Sequence, residues 1–371
     1  MIRRDPYHDP RAVYAWVERI RGASRGLGRR VTFMEVCGTH THAIAEAGLR
    51  RMLPPEVRLI SGPGCPVCVT PIDYMDRAVA LARRPDVLLC TFGDLMRVPS
   101  SDSSLERESA RGADVHIVYS ARDALAIARE RPERLVVFLA VGFETTLPTI
   151  AAAIAEADLR GIENFLVLPG AKLIEPPLRA LAEDDEIQLD GFLLPGHVSV
   201  VLGSDFYRFL ERELDLPGVI VGFTPVDVLR GVDQLVQCVT TGMPRVVNLY
   251  TRAVTPEGNR LARHVMAHFF EPEDTRWRGL GVIPASGLAL REAFAHRDAT
   301  RLRVELGPSR EPPGCRCGEV LKGVIEPPDC PLFGRGCTPA EPVGACMVSS
   351  EGTCAAWYRH ERGREKTGAE A

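Results

Sequence analysis

The chain contains no run of about 18 consecutive apolar residues, so no membrane-spanning helix is predicted. Its first twenty residues, MIRRDPYHDPRAVYAWVERI, lack the unbroken apolar core of a secretory leader. A basic excess is also missing: 45 Lys and Arg stand against 49 Asp and Glu, a net charge of −4. A dedicated nucleic-acid binder would show the opposite balance or a basic stripe, and the pairs Arg50-Arg51 and Arg83-Arg84 read as solvated helix ends. There is no GxxxxGK[ST] loop, so nucleotide use would need another kind of site. No Ser-His-Asp pattern stands out either. These absences predict a cytoplasmic protein with no membrane or nucleic-acid partner.

What is present is the composition of a globular chain, 45% hydrophobic and 25% charged over 371 residues, long enough for two or three compact units. Short β-branched runs alternate with helical patterns from Val31 to about Tyr250, as in an α/β unit with a mainly parallel sheet. Strands are predicted at 31–36, 57–61, 86–91 and 115–119, then at 135–141, 164–168, 190–194 and 218–222. Each is a continuous apolar run suited to burial on both faces. The two sets look like one unit used twice. Cys37-Gly-Thr-His-Thr lies 105 residues before Gly142-Phe-Glu-Thr-Thr, and Pro63-Gly64 lies 106 before Pro169-Gly170. Thr91-Phe-Gly-Asp precedes Pro195-Gly-His-Val by 104, and Tyr119 to Asp123 precedes Phe223 to Asp227 by 104. Four such matches in order predict two tandem, Rossmann-like parallel-sheet domains, 1–130 and 131–250. A loop- and helix-rich region, 251–371, follows, with amphipathic helices expected at 256–270 and 286–296. From Gly307 the chain is rich in Pro, Gly and Cys, which calls for a metal centre to order it. The charged tail after His360 is expected to fray.

Eleven cysteines in a reducing compartment point to metal or redox chemistry rather than disulfides. Six of them, Cys315, Cys317, Cys330, Cys337, Cys346 and Cys354, fall in the last 57 residues. Four thiolates can hold a 4Fe-4S cluster from long glycine-rich loops. Zinc is the rival, but it prefers paired C-x₂₋₄-C knuckles, and the nearest pair here is Cys315-x-Cys317. Six unligated thiols are the remaining alternative.

Other motifs follow strand ends, where doubly wound sheets place their ligand sites. Cys37 precedes a helix whose N-terminus would lower its pKa, though an isolated buried cysteine is often only a small apolar residue. His40 and His42 can serve as hydrogen-bond donors, a proton relay or structural histidines. Cys65-Pro-Val-Cys68 has the C-x-x-C spacing of a redox pair and is also compatible with two reduced structural thiols. Glu144, Thr145 and Thr146 occupy in the second repeat the place of Thr39, His40 and Thr41. They would border the same cleft if the repeats face each other; otherwise the threonines cap the next helix. His197 can line that cleft or sit on a surface turn. Cys90 and Cys238 lie in apolar contexts and read as core.

The motifs Cys37-Gly-Thr-His-Thr-His42, Gly62-Pro-Gly-Cys-Pro-Val-Cys68, Gly142-Phe-Glu-Thr-Thr146 and Pro195-Gly-His197, ending in a C-x14-C-x6-C-x16-C spacing, together resemble the HypD hydrogenase-formation family. The resemblance runs from about Val31 to Tyr358. It implies a scaffold for the iron half of a nickel–iron hydrogenase centre, an Fe carrying two cyanides and one CO. It further implies a HypC-like chaperone as partner, cyanide delivery by a HypE-like protein with HypF, and onward transfer to the hydrogenase large subunit. By this resemblance Cys37 binds the iron, Cys65 and Cys68 are a redox pair, and Cys315, Cys330, Cys337 and Cys354 hold one 4Fe-4S cluster. Cys317 and Cys346 are then left as spare thiols. The residue-based alternatives are a cluster-dependent thiol–disulfide oxidoreductase and a zinc-stabilised interaction protein.

Overall fold

The computed structural model describes residues 9–362. Nine parallel strands form two open sheets, and a separate antiparallel hairpin follows. The strands are β1 (Val31–Glu35), β2 (Val57–Ser61), β3 (Val87–Thr91), β4 (Val115–Ile117) and β5 (Leu135–Ala140). Next come β6 (Phe165–Pro169), β7 (Gly191–Leu194), β8 (Gly218–Ile220) and β9 (Val246–Asn248). All eight predicted strands are present, each shifted by a residue or two at most, and β9 is additional. The central ones are buried along their length, as their unbroken apolar runs require.

The sheets do not divide at residue 130. One has the order β2-β1-β7-β8-β9 and the other β4-β3-β5-β6. Glu35 pairs with Ser61 on one side and Leu193 on the other, so β1 lies between a near neighbour and a strand far along the chain. Likewise β5 sits between β3 and β6. The internal repeat survives in this arrangement, but its halves are exchanged. Each sheet takes the first two strands of one repeat and the last two of the other, so β2-β1-β7-β8 matches β6-β5-β3-β4. A repeat offset is visible in sequence; which copy a strand pairs with is decided by packing.

Around this frame, helices Pro10–Ser24 and Pro225–Thr241 cover one face of the first sheet, burying Val17 and Ile20 with Phe33, Val219, Val228 and Leu235. The longer helix starts on a capping box between Thr224 and Asp227 with Pro225 at its first position. The predicted helix at 256–270 is shorter, Arg260–Phe269, because Asn259 caps it and Pro256 lies in the preceding turn. The predicted helix at 286–296 is not one. Strands β10 (Phe270–Trp277) and β11 (Gly281–Leu290) form an antiparallel hairpin there, followed by a 3₁₀ turn at Glu292–Arg297. Leu, Ala and Glu favour helix locally, yet pairing with β10 and burial of Ile283, Leu288 and Leu290 outweigh that preference. The last segment has only the short helices Cys317–Lys322 and Thr353–His360 with 3₁₀ turns between. Glu361 is buried and bonded to Arg50; the charged tail from residue 363 lies outside the described residues. No described helix is long and apolar enough to cross a membrane.

Candidate functional site

Cys37 ends the β1 connection and is the N-cap of the helix Gly38–Glu46. The backbone N–H groups of His40 and Thr39, free donors of the helix's first turn, favour its thiolate, though neither makes a capping hydrogen bond to the sulfur. The expected low pKa does not follow. Burial pushes the thiol up to about 12, the His40 N–H opposes that, and the carboxylates of Glu35 and Glu351 add to it. Two first-turn N–H groups and half a helix dipole do not match the loss of water around the buried thiol, so burial disfavours the Cys37 thiolate.

Three further residues build this position: Glu35 and Glu351, which sequence reasoning did not single out, and Arg50, which it read as a solvated helix end but whose side chain is only 10% exposed. Glu35, on β1 and fully buried, accepts from Cys37 N (3.1 Å) and Thr41 Oγ1 (2.6 Å). Burial raises it to about 7 against the opposing charge of Arg50. Arg50 donates to Ser61 Oγ (2.7 Å) and pairs with Glu361 (2.9 Å). Glu351 accepts from Thr39 Oγ1 (2.7 Å), and its side chain lies on Gly38, where a Cβ would come within 2.5 Å. The only advance signal was composition: a Glu inside an apolar strand and an acid three residues before Cys354.

Among the candidate histidines, His40 is completely buried and tilted against Phe223 at 4.9 Å. Its Nε2 lies 2.9 Å from Gly222 O, so Nε2 carries the proton and the unpartnered, buried Nδ1 presents a lone pair. Burial lowers it to about 4, so it is neutral near pH 7. His197 is exposed and stacks on the other side of Phe223 at 4.2 Å. His42 points away, edge-on to His360 at 5.1 Å.

Cys65 caps the short helix Pro66–Val69 and accepts from Cys68 N at 3.4 Å. This turn sits directly on the Cys37 turn: Gly38 N donates to Gly64 O at 3.1 Å. On its far side, Cys68 Sγ is 4.0 Å from the carbonyl oxygen of Ala345, the residue before Cys346. Cys346 Sγ in turn is 2.7 Å from Cys317 Sγ. The two thiols left over in sequence thus bridge the C-x-x-C pair and the C-terminal loops. All are free thiols, and burial holds Cys68 well above the usual thiol range.

All six C-terminal cysteines line one cavity, together with Val320, Leu332, Phe333, Gly344 and Met347. Neither carboxylate nor imidazole is in that lining, so the donor set is soft and suits iron or another thiophilic metal. Backbone N–H groups of Gly344 and Val343 point at Cys337 Sγ, the latter at 3.3 Å, as thiolate ligands of a buried metal centre require. Among the described residues, no three His, Cys, Asp or Glu side chains are already drawn together around a single ion.

The second repeat places a different chemistry at the matching strand end. Glu144 is buried; Oε1 accepts from Ile174 N at 2.9 Å, while Oε2 has no hydrogen-bond partner. Burial raises it to about 7, partly opposed by the Ile174 N–H. Thr145 is exposed, and Thr146 occupies the N-cap position of helix Leu147–Leu159 without a side-chain capping bond. The buried Tyr207, 3.2 Å from Ser199 Oγ, has its phenol pushed up mainly by burial, and the charges of Glu144 and Cys37 add to this.

A raised carboxyl pKa in the folded state means the native protein holds a proton that the unfolded chain has already lost. Stability from Glu144 therefore falls as pH rises from about 4.5 to about 7, by up to about 3 kcal/mol. Glu144→Gln is expected to be the more stable form above pH 7 and to flatten this slope. Chemical denaturation of both proteins at pH 5, 6, 7 and 8 measures the difference; parallel curves would show that Glu144 is not protonated by burial.

Comparison with known proteins bears on this arrangement. A family described as HypD, "Hydrogenase formation hypA family", matches residues 11–361. The chain is 48% identical over 347 residues to the hydrogenase maturation factor HypD of Rhizobium leguminosarum bv. viciae, covering 91% of this chain and 90% of that protein. It is 45% identical over 364 residues to hydrogenase maturation factor HypD of Escherichia coli (strain K12), covering 96% and 98%. Against the hydrogenase expression/formation protein HupD of Azotobacter chroococcum mcd 1 the identity is 45% over 370 residues, 97% of each.

Proposed function

The chain belongs to the HypD family of hydrogenase maturation factors, and from that premise we propose that it is a redox-active scaffold for the Fe(CN)₂CO unit of nickel–iron hydrogenase. In this reading a HypC-like chaperone binds beside Cys37, a HypE-like protein with HypF delivers cyanide, and the finished unit passes to the hydrogenase large subunit. The observation that carries it is the stacking of three thiol sites: Cys37 on the Cys65–Cys68 turn, and that turn on the Cys346–Cys317 bridge.

Iron is the cargo, and Cys37 is its ligand on this chain. The N–H groups of Thr39 and His40 steady the thiolate once the metal has displaced its proton. Glu35 orients the turn through the Cys37 N–H, and Glu351 fixes it from the C-terminal segment through Thr39. Neutral His40 keeps its Nδ1 lone pair able to accept a hydrogen bond without adding charge. Cys65 and Cys68 can give up two electrons and two protons to form a disulfide, and take both back. Cys315, Cys330, Cys337 and Cys354 are the proposed ligands of one 4Fe-4S cluster, which when bound would supply electrons singly. Cys346 and Cys317 then lie where electrons would cross between the pair and that centre.

The same thiol route supports the second reading, a cluster-dependent thiol–disulfide oxidoreductase. Infrared spectroscopy separates the two. Protein purified anaerobically with its HypC-like partner should show bound cyanide and CO stretches. Consistent absence of those bands from well-loaded material would favour the oxidoreductase.

A further inference from the structure

We propose that Arg278 is a positioning residue for electron transfer: a buried cation that raises the reduction potential of the C-terminal cysteine centre and clamps the Cys65–Cys68 turn beside it. This rests on the reading of those cysteines as cluster ligands.

Arg278 follows β10 in the hairpin turn and is 3% exposed. Its inner partners are all neutral. Nε donates to Thr70 O at 2.9 Å, Nη2 reaches Pro99 O at 3.5 Å, and its backbone N–H donates to Val69 O at 2.9 Å. Val69 and Thr70 are the residues just after Cys68, so one arginine ties down the end of the redox turn. The next residue, Gly279, packs backbone to backbone on Gly318, beside Cys317; a Cβ on Gly279 would lie 2.1 Å from Gly318 Cα. The arginine's backbone is thereby wedged between the two cysteine segments, with its neighbour Gly279 packed three residues past Cys315.

Its charge is poorly compensated. Its carboxylate partner, Glu311, is 3.7 Å away with its side chain 56% exposed to water. A buried guanidinium held by carbonyls and one distant, screened carboxylate is costly unless an anion lies nearby. A cysteine-ligated iron–sulfur centre is such an anion, and it becomes more negative when it takes up an electron. A fixed cation therefore favours the reduced form, and local charge is one of the factors that set cluster potentials.

The test uses full-length, anaerobically purified protein, with iron and sulfide counted first. Redox titration followed by EPR and visible absorption then gives midpoints for wild type, Arg278→Met, Arg278→Lys and Glu311→Gln. Arg278→Met is expected to make reduction about tenfold less favourable, a downward shift of about 59 mV for one electron. Arg278→Lys should recover most of it, and Glu311→Gln should shift the midpoint upward by a smaller amount. A merely structural arginine would not give opposite signs from its removal and from removal of its exposed partner. If Arg278→Met does not fold, the upward shift in the surface variant decides. Unchanged midpoints in cluster-loaded variants overturn the role of Arg278. Wild-type protein that holds zinc, or no iron and sulfide, overturns the cluster reading and this inference with it.

Discussion

Replacing Cys37 with Ala is expected to abolish retention of the iron unit while leaving the visible absorbance of the C-terminal centre unchanged. Cys37 follows β1, and the Cys65–Cys68 turn lies between it and the cavity lined by Cys317, Cys346 and the other C-terminal cysteines. Its sulfur contributes no ligand to that cavity. The substitution should also be structurally mild, because the thiol behaves as a small apolar side chain in a 7% exposed position. Infrared bands of cyanide and CO should therefore vanish while iron and sulfide content remain those of the wild type. Bleaching of the centre in this variant would show that the two sites are one.

The second large effect is expected at Gly64. A Cβ there would stand 2.1 Å from Cys37 N and 2.4 Å from Cys37 Cα. Those are backbone atoms at the end of a central strand, so no side chain can swing aside to relieve the contact. Gly64→Ala must force the two turns apart and break the Gly38 N to Gly64 O bond. Overpacking of this kind costs about 3 kcal/mol or more, and the thermal midpoint should fall by several degrees. Retention of the iron unit should fall with it, since the Cys37 and Cys65 turns would no longer pack together. Gly22→Ala is the control: nothing lies within 4 Å of its Cβ, and it sits inside the helix Pro10–Ser24. There alanine should be neutral or stabilising by up to about 1 kcal/mol. Equal melting curves for wild type and Gly64→Ala would refute the close approach of the two turns.

Much of the site was legible because its motifs are local. The C-x-x-C spacing, a helix start after an apolar strand and the cysteine-rich, proline-rich C-terminal segment each declare themselves within a few residues. The residues that escaped notice act over long separations. Glu35 meets Arg50 and Arg50 meets Glu361; Thr39 meets Glu351, and Thr70 meets Arg278. None of these pairings leaves a periodic trace. The low pKa expected for Cys37 failed for a related reason. A helix N-terminus can be read from sequence, but the dryness of the space around it cannot.

The sequence alone determined the strands, since a β-branched run buried on both faces can hardly be anything else, and it determined the repeat and the gathering of soft cysteine donors near the C-terminal end. Tertiary structure decided the rest. It decided that the repeats exchange halves between two sheets, because hydrogen-bonding edges of equal register are interchangeable to the chain and only packing chooses among them. It turned 286–290, where a helix was expected, into the end of a strand against its local helical preference. Above all it lined up Cys37, Cys65, Cys68, Cys346 and Cys317 in space, an order that no spacing along the chain encodes.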